Sequence, residues 1–274
     1  MPAPRWAAPR CRWASRSRWR GCSALPDRPA LPAALRRHPV AHRGLHDPAR
    51  GVIENSRAAI ARAAAAGYGI EIDIQLSADG EAMVFHDDDL ERLTPEAGPL
   101  RLRSAAELSR IPLRGSAETI PTLAEILGLV GNAPLLVEIK DQDGALGPRV
   151  GALESRAARL LAAHDGPVAV MSFNPHAIAA CRDAAPAIPR GLVTCPFTAE
   201  EWPGVAADRR AHLARIADFD TVGAAFISHF HRALDMAPVR ALRARGTPVL
   251  CWTVRSPAEE AAARARGATN VTFE

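Results

Sequence analysis

Short apolar runs alternate with longer amphipathic or alanine-rich stretches along most of this chain. Eight of the short runs read as buried strands, and they cover residues 39–42, 70–74, 135–139, 168–173, 191–194, 224–228, 249–254 and 270–273. The stretches between them read as helices, and they cover residues 56–66, 122–130, 150–163, 175–185, 208–216, 237–245 and 257–266. This alternation predicts right-handed β-α-β units and a parallel sheet.

A further apolar run, residues 82–86, requires a different connection. Only residues 76–81 separate it from the preceding strand, whereas a parallel crossover needs about a dozen residues. The intervening Asp79 and Gly80 are typical of a tight turn, so this run is predicted to return as the second arm of an antiparallel hairpin.

Eight parallel strands remain, which is the number in a closed (β/α)8 TIM barrel of about 250 residues. An open doubly wound sheet also fits the alternation. However, no strand is followed by the glycine-rich nucleotide-binding loops typical of such sheets.

The charge of the chain is unevenly distributed. The net charge is +4, but residues 1–37 hold nine arginines and one acid, which is +8, so residues 38–274 carry −4. This leader also contains Trp6, Trp13 and Trp19. An arm of this kind can bind anionic lipid or nucleic acid. Because it has neither an apolar signal region nor a helical stripe, we interpret it as a disordered extension or a misannotated start, with the barrel domain at 38–274.

The composition of the chain limits the classes of protein to which it can belong. No run approaches the roughly 18 to 20 apolar residues that span a bilayer, so no transmembrane segment is expected. The five cysteines show neither C-x-x-C spacing nor metal-ligand spacing, which favours a reduced, cytoplasmic setting. The acidic barrel predicts no nucleic-acid partner, and the sequence does not indicate an oligomeric state.

Polar side chains recur at the ends of the first three parallel strands, and these residues are His42, Arg43, Glu71, Asp73, Glu138 and Lys140. Side chains two apart on a strand share a face, and the carboxyl ends of the strands form the mouth of a barrel. Three carboxylates converging there would repel one another without a counter-cation. We therefore expect Glu71, Asp73 and Glu138 to hold a hard divalent ion.

The predicted hairpin would bring His86 over the same mouth as His42. One imidazole can accept a proton while the other donates one. Arg43 and Lys140 add positive charge, which favours an anionic substrate such as a phosphate ester. Lys140 is the only lysine beside 33 arginines, which indicates a position that needs a compact ammonium. These parts together predict phosphoester cleavage.

The same residues belong to an ordered set of motifs, which comprises His42-Arg43-Gly44, Glu54-Asn55-Ser56, Glu71-Ile72-Asp73, Gly80 through His86-Asp87, Val137-Glu138-Ile139-Lys140 and Trp252-Thr253-Val254. In order and spacing this set resembles the glycerophosphodiester phosphodiesterase family, from about residue 39 to the C-terminus. The resemblance implies a (β/α)8 barrel that hydrolyses glycerophosphodiesters to glycerol 3-phosphate and an alcohol, using bound Mg²⁺ or Ca²⁺.

The resemblance also implies residue roles. Glu71, Asp73 and Glu138 would bind the metal, and His42 and His86 would form the acid-base pair. The expected substrate-binding residues are Arg43, Glu54, Lys140, Phe173 and Trp252. Of these, Glu54 matches a motif whose role is less defined. Phe173 and Trp252 are assigned as an apolar wall because they lie at strand ends, where core packing is an equal alternative.

Two departures from the family pattern lead to further expectations. Ile53 replaces the usual proline before Glu54, which would alter a loop only. The last strand ends at Glu274 without the usual Asp and Pro, so the last helix is predicted to be reduced or missing. Residues 31–37 would then cover that region, or the barrel would be less stable. His229 and His231 are predicted to lie in a loop at the mouth after the sixth parallel strand, with a solvated loop as the preferred interpretation and contact with substrate as the alternative.

Other classes remain open at this stage. A phospholipase D or sphingomyelinase D type lipid phosphodiesterase would use the same site with a larger apolar entrance, although residues 87–120 are short and charged for that purpose. A non-enzymatic barrel would be expected to have lost one of the site residues. Non-enzymatic binding of anionic lipid or nucleic acid rests on the N-terminal arm alone.

Overall fold

The structure is a computed structural model that describes residues 28–274, so the predictions for residues 1–27, with their three tryptophans, lie outside the described residues. The strands in this part are β1 (Val40–Ala41), β2 (Gly69–Leu76), β3 (Ala82–Val84), β4 (Leu135–Ile139), β5 (Val168–Ser172), β6 (Arg190–Thr194), β7 (Phe226–Phe230), β8 (Val249–Val254) and β9 (Asn270–Phe273). The α-helices are α1 (Ala33–Arg37), α2 (Arg57–Ala65), α3 (Ala105–Leu108), α4 (Leu123–Val130), α5 (Ala152–Ala162), α6 (Pro175–Ala184), α7 (Ala207–Ala214), α8 (Ala237–Ala244) and α9 (Pro257–Ala265).

Eight of these strands form a closed parallel barrel, as predicted. Strand β1 pairs in parallel with β2 on one side and with β9 on the other, which closes the sheet. Strand β3 is the exception, because it pairs antiparallel with the end of β2 as the return arm of the predicted hairpin. The (β/α)8 fold class is therefore confirmed.

The alternation of residues along each strand separates the core from the site. On β2, Ile70, Ile72 and Ile74 face outward and pack with the surrounding helices in the main hydrophobic core. The residues between them, Glu71 and Asp73, therefore point into the barrel. Strand β4 follows the same rule, because its three outward residues pack in the same core while Leu136 packs inside the barrel. The inward face is thus apolar at the bottom and charged at the mouth.

Residues that precede β1 close the bottom of the barrel. Leu31 and Leu35 are buried and pack with inward residues such as Leu136 and Phe226. The side chain of Asn270 donates 2.9 Å to the Leu35 carbonyl and 2.6 Å to that of His38. These bonds satisfy carbonyl groups at the end of α1 that the short helix leaves unpaired. Of the two expectations for residues 31–37, coverage of the barrel is therefore the one observed.

One strand boundary differs from its prediction, and this difference changes the surroundings expected for two histidines. The predicted strand 224–228 is β7 in the structure, two residues later, so His229 lies within the strand. His229 is fully buried, its Nδ1 is 2.7 Å from Thr194 Oγ1, and its Nε2 is 3.2 Å from the Ala233 carbonyl. His231 is 7% exposed and follows in a short 3-10 helix. The prediction that both lie in a solvated loop is wrong, because the strand and the helix after it bury them.

The helices show the start signals that the sequence contains. Ser56 accepts a hydrogen bond from the Ala59 amide ahead of α2, and Thr122 forms a reciprocal capping box with Glu125 at α4. Among the described residues, no helix combines the length and the apolar character that a membrane crossing requires.

Candidate active site

Three carboxylates meet at the mouth of the barrel. Glu71 and Asp73 project inward from β2, and Glu138 projects inward from the neighbouring β4, where it pairs in register with Asp73. One ligand oxygen from each lies within 4.8 Å of the others. All three side chains are buried. The sequence prediction that these residues converge agrees with this geometry.

The carboxylates of this cluster differ in how readily they lose their protons. Burial, together with the charges of Asp73 and Glu138, raises the pKa of Glu71 well above its ordinary value. Burial also disfavours the charged form of Asp73, but Lys140, His86 and Arg43 outweigh it, and the pKa of Asp73 falls below its ordinary value. Glu71 therefore tends to keep a proton where no cation compensates it. Three converging oxygen ligands of this kind suit a hard divalent cation.

Lys140 provides one of the two cations beside the cluster. Its Nζ is 3.0 Å from Glu138 Oε1 and 3.5 Å from Asp73 Oδ1. Burial disfavours the charged amine, but the two carboxylates outweigh burial and raise the pKa of Lys140. The ammonium is therefore permanently charged at the mouth of the barrel.

Arg43 provides the second cation and is held by a strained loop. Its backbone has a φ of 55° and its amide donates 3.0 Å to Glu71 Oε2, while its Nε is 3.3 Å from Asp73 Oδ2. Gly44 follows with a φ of +80°, and a Cβ at that position would approach the Ala59 carbonyl carbon to 2.7 Å. Only glycine fits there, which explains the His-Arg-Gly sequence physically.

Asn55 holds this loop against the second strand. Its side-chain amide donates 3.0 Å to Asp73 Oδ2, its carbonyl oxygen accepts from the Asp73 amide at 3.2 Å, and its own amide donates to the Arg43 carbonyl. Asn55 is buried and, like Arg43, has a positive φ, of 59°. Sequence reasoning did not assign Asn55 a role, although it lies in the quoted motif beside Glu54.

The two histidines line the same cavity as the cluster, and each has a carboxylate near Nδ1. His86 follows β3, and its Nδ1 is 2.6 Å from Asp87 Oδ1. His42 follows β1, and its Nδ1 is 3.4 Å from Glu274 Oε2. Burial is the largest effect on the pKa of His86 and lowers it. The His42 ring beside it lowers the pKa of Glu274 to about 2. The hydrogen bond between Nδ1 and Asp87 fixes the tautomer of His86 and leaves its Nε2 for proton transfer, whereas the 3.4 Å contact of His42 with Glu274 does not have hydrogen-bond geometry.

A chain of charged groups connects the surroundings of His86 to Arg43. Arg92 donates to both oxygens of Asp87 and to both oxygens of Glu54. Glu54 in turn accepts 2.7 Å from the Arg43 guanidinium. Glu54 thus lies behind Arg43, and among the described residues its hydrogen-bond partners are Arg43 and Arg92. Sequence reasoning missed Arg92 because its partner lies 38 positions away.

An aromatic wall borders the site. Phe173 and Trp252 stand 5.6 Å apart in an edge-to-face pair, and Phe230 lies 5.5 Å from Trp252. The Trp252 indole donates 3.0 Å to the Ser228 carbonyl, which fixes its ring. Phe173 also contacts Trp202 at 4.9 Å. Phe173 and Trp252, the two predicted wall residues, are partly exposed and line one cavity, so neither is fully enclosed in the core.

These groups share one cavity of about 410 Å³, whose lining includes His42, Arg43, Glu71, Asp73, His86, Glu138, Lys140, Phe173, Phe230, His231 and Trp252. The structure brings together every predicted site residue except Glu54, which supports Arg43 from behind. The cavity therefore combines a cation-binding carboxylate cluster, two fixed cations and two imidazoles.

Comparison with known proteins gives a consistent family. The sequence model of the Glycerophosphoryl diester phosphodiesterase family matches residues 42–273. A glycerophosphodiester phosphodiesterase of Caldanaerobacter subterraneus subsp. tengcongensis is 30% identical over 172 residues, which are 60% of this chain and 69% of the relative. One of Bacillus subtilis is 26% identical over 208 residues, which are 69% and 68% of the two chains.

Solved structures agree with these relatives. An Oleispira antarctica phosphodiesterase in complex with the product sn-glycerol-3-phosphate superposes with a TM-score of 0.70 at 25% identity, over 88% of this chain and 94% of the other. A glycerophosphodiester phosphodiesterase from Thermotoga maritima shares the fold with a TM-score of 0.64 at 19% identity, over 86% and 94%.

Proposed function

Because the chain belongs to the glycerophosphoryl diester phosphodiesterase family, we propose that it hydrolyses glycerophosphodiesters to glycerol 3-phosphate and an alcohol, with a divalent cation and two histidines. The observation that carries this proposal is the single cavity in which Glu71, Asp73 and Glu138 converge and which His42 and His86 also line. The alternatives that rest on the N-terminal arm draw no support from this cavity.

The carboxylate cluster is the proposed metal site. Glu71, Asp73 and Glu138 would hold Mg²⁺ or Ca²⁺, because both ions prefer oxygen ligands. A bound divalent ion supplies Lewis acidity that stabilises negative charge on phosphoryl oxygens. It would also remove the need for a proton on Glu71, whose pKa is raised in the metal-free cluster.

Arg43 and Lys140 are the proposed phosphate-binding cations. Arg43 is fixed by Glu54 on one side and by the Asp73 carboxylate on the other, so its guanidinium is oriented before substrate binds. Lys140 is fixed by Glu138. Donors that are already oriented stabilise developing charge without reorganisation.

The two histidines are the proposed acid and base. One removes the proton from the nucleophile, which is water or the glycerol hydroxyl adjacent to the ester, and the other protonates the leaving alkoxide. Attack by the hydroxyl would give a cyclic phosphate, which water then opens to glycerol 3-phosphate with the roles of the two histidines exchanged. Asp87 holds Nδ1 of His86, so Nε2 is the atom of that ring that exchanges the proton, and Glu274 lies 3.4 Å from Nδ1 of His42. Phe173 and Trp252 flank the substrate on the apolar side.

Release of glycerol 3-phosphate from glycerophosphocholine tests the metal site. We expect activity with Mg²⁺ or Ca²⁺, loss after chelation and recovery when the ion is returned. Asp73→Asn should lose about 100-fold or more, whereas the exposed Asp165→Asn should behave as the unmodified protein. Full activity after chelation would exclude the proposed ion.

Assays with an activated ester distinguish the roles of the two histidines. His42→Ala and His86→Ala should each lose about 10²- to 10⁴-fold on glycerophosphocholine. With a p-nitrophenyl leaving group, which departs without a proton, the variant lacking the general acid should recover most of its activity and the other should not. A loss of less than about tenfold in either variant on glycerophosphocholine would remove that histidine from the mechanism.

A further inference from the structure

The catalytic cavity continues into a second lobe. Beyond Glu138, Lys140 and Phe173, which line both spaces, lies a cavity of about 270 Å³. Its far wall is formed by residues 201–205 and by Leu146. The proposed function uses none of these outer residues, although they lie next to the proposed phosphate-binding lysine.

The lobe combines aromatic surface with negative charge. Trp202 is half-buried and packs against Phe173 at 4.9 Å and against Phe197 at 5.2 Å, so its ring is fixed at the edge of the lobe. Asp88 and Glu201 line the same lobe and are exposed. Within residues 28–274, neither carboxylate has a Lys, Arg or His partner within 4.0 Å.

The lining of the catalytic cavity outside this lobe carries cations instead. Arg232, Arg255 and His231 belong to it, and the two arginines are held by Glu259 at 3.4 Å and by Glu274 at 2.7 Å. A diester bound at Arg43 and Lys140 therefore meets cations around its phosphate, and acids with aromatic rings in the lobe. This charge pattern complements a zwitterion with a phosphodiester at one end and a cation at the other.

We propose that the lobe around Trp202 binds the trimethylammonium group of a choline-type alcohol, so that the preferred substrates are glycerophosphodiesters of quaternary ammonium alcohols. This inference rests on the proposed function, because it positions the alcohol of the same diester. A quaternary ammonium has a diffuse charge and an apolar surface, and aromatic rings with nearby carboxylates are its usual recognition elements. A primary ammonium is strongly hydrated and gains less from the rings.

Three diesters separate charge from shape: glycerophosphocholine, the analogue in which an uncharged 3,3-dimethylbutyl group replaces choline, and glycerophosphoglycerol. The unmodified protein should have the highest kcat/KM on the choline ester. Trp202→Ala should lower kcat/KM for the choline ester by about 2- to 30-fold relative to the glycerol ester. Trp202→Phe should retain most of the preference and guards against misfolding. Leu129→Ala, which truncates a half-exposed apolar residue of α4, is the matched control and should leave the ratio unchanged.

The outcomes distinguish this inference from the function on which it rests. If the unmodified protein hydrolyses none of the three diesters with Mg²⁺ or Ca²⁺, the proposed function fails. If it hydrolyses all three, but Trp202→Ala lowers them equally or the dimethylbutyl analogue matches the choline ester, the lobe does not recognise a cation. Faster hydrolysis of lysophosphatidylcholine would also overturn the inference, because the lobe would then serve an acyl chain.

Discussion

The ammonium of Lys140 is a point charge shared by two carboxylates. The Glu138 and Asp73 oxygens nearest to it, at 3.0 and 3.5 Å, converge on one nitrogen atom. A guanidinium would instead present five donors in a plane, and its head group is wider. In a chain whose other 33 Lys or Arg positions are all arginine, this geometry is a physical reason for the single lysine.

Lys140→Arg tests whether shape or charge matters at this position. The charge is retained, but the carboxylates and the phosphate would be displaced, so we expect kcat/KM to fall by about 10- to 100-fold. Arg264→Lys, at the surface ion pair with Glu260, is the control for exchanging the two cations and should be neutral. Unchanged activity in Lys140→Arg would mean that charge alone is required.

His229 shows how burial fixes a protonation state. Both ring nitrogens have partners, and the side chain is fully buried on the outward face of β7. Burial lowers the pKa of His229 to about 4, from an ordinary value of 6.5. The unfolded chain therefore takes up the proton at a higher pH than the folded protein, so acid weakens the fold through this residue.

The free energy of unfolding should fall as the pH decreases from 6.5 to about 4, with a contribution from His229 of about 3 kcal/mol at most. In His229→Gln this part of the pH dependence should be absent. Urea unfolding at pH 4, 5, 6.5 and 7.5 measures it. Parallel pH profiles for both proteins would show that His229 is not the group responsible.

The segment between β3 and α4 is joined to the loop between β1 and α2 by the charged side chain of Arg92, in addition to the apolar packing of Ile53. Arg92 binds Asp87 beside the proposed catalytic His86, and it also binds Glu54, which holds Arg43. Arg92 is 47% exposed, but its two bidentate contacts restrain it. The segment thus positions an imidazole and a guanidinium through one side chain.

Arg92→Met should lower kcat without unfolding the barrel. Asp87 and Glu54 would lose their fixed partner, and the resulting misplacement of His86 and Arg43 is expected to cost about tenfold or more. Arg103→Met removes a more distant ion pair of the same segment, with Glu96, and should have little effect. Equal losses in kcat and in thermal stability for both variants would indicate a structural role only.

The elements that sequence patterns predict well are those with strong periodicity. Alternation along β2 and β4 correctly separated the outward Ile and Val residues from the inward Glu and Asp residues. The β7 boundary was misplaced, because Ala224 and Ala225 are as apolar as the strand residues that follow. The contacts of Arg92 could not be predicted, because loop conformation, rather than periodicity, brings Glu54 to it.

At the scale of the whole molecule, the barrel depends on residues that precede its first strand. Leu35 is completely buried and packs on the inward residues at the bottom, while Asn270 secures the end of its helix. The motifs of the site do not reveal this, because all of them lie after residue 41. The packed unit therefore includes residues that the charge distribution alone assigned to the leader.

Leu35→Ala should lower the free energy of unfolding by about 2 to 5 kcal/mol, because it leaves a cavity among close-packed side chains. Leu102→Ala, at a leucine that is 66% exposed, should change it by less than about 0.5 kcal/mol. Chemical denaturation of both variants gives the comparison. A near-neutral Leu35→Ala would mean that α1 covers the barrel without supporting it.

Because Lys140 is the only lysine, its chemical modification can measure how often the barrel opens. Residues 28–274 have one side-chain amine, and in the folded protein Glu138 and Asp73 keep it charged and therefore poorly nucleophilic. An acylating reagent should spare this part of the folded chain and add one group to it after unfolding. Each acyl group found at Lys140 by mass spectrometry would then record one opening event at the mouth of the barrel, against a surface of arginines that does not react.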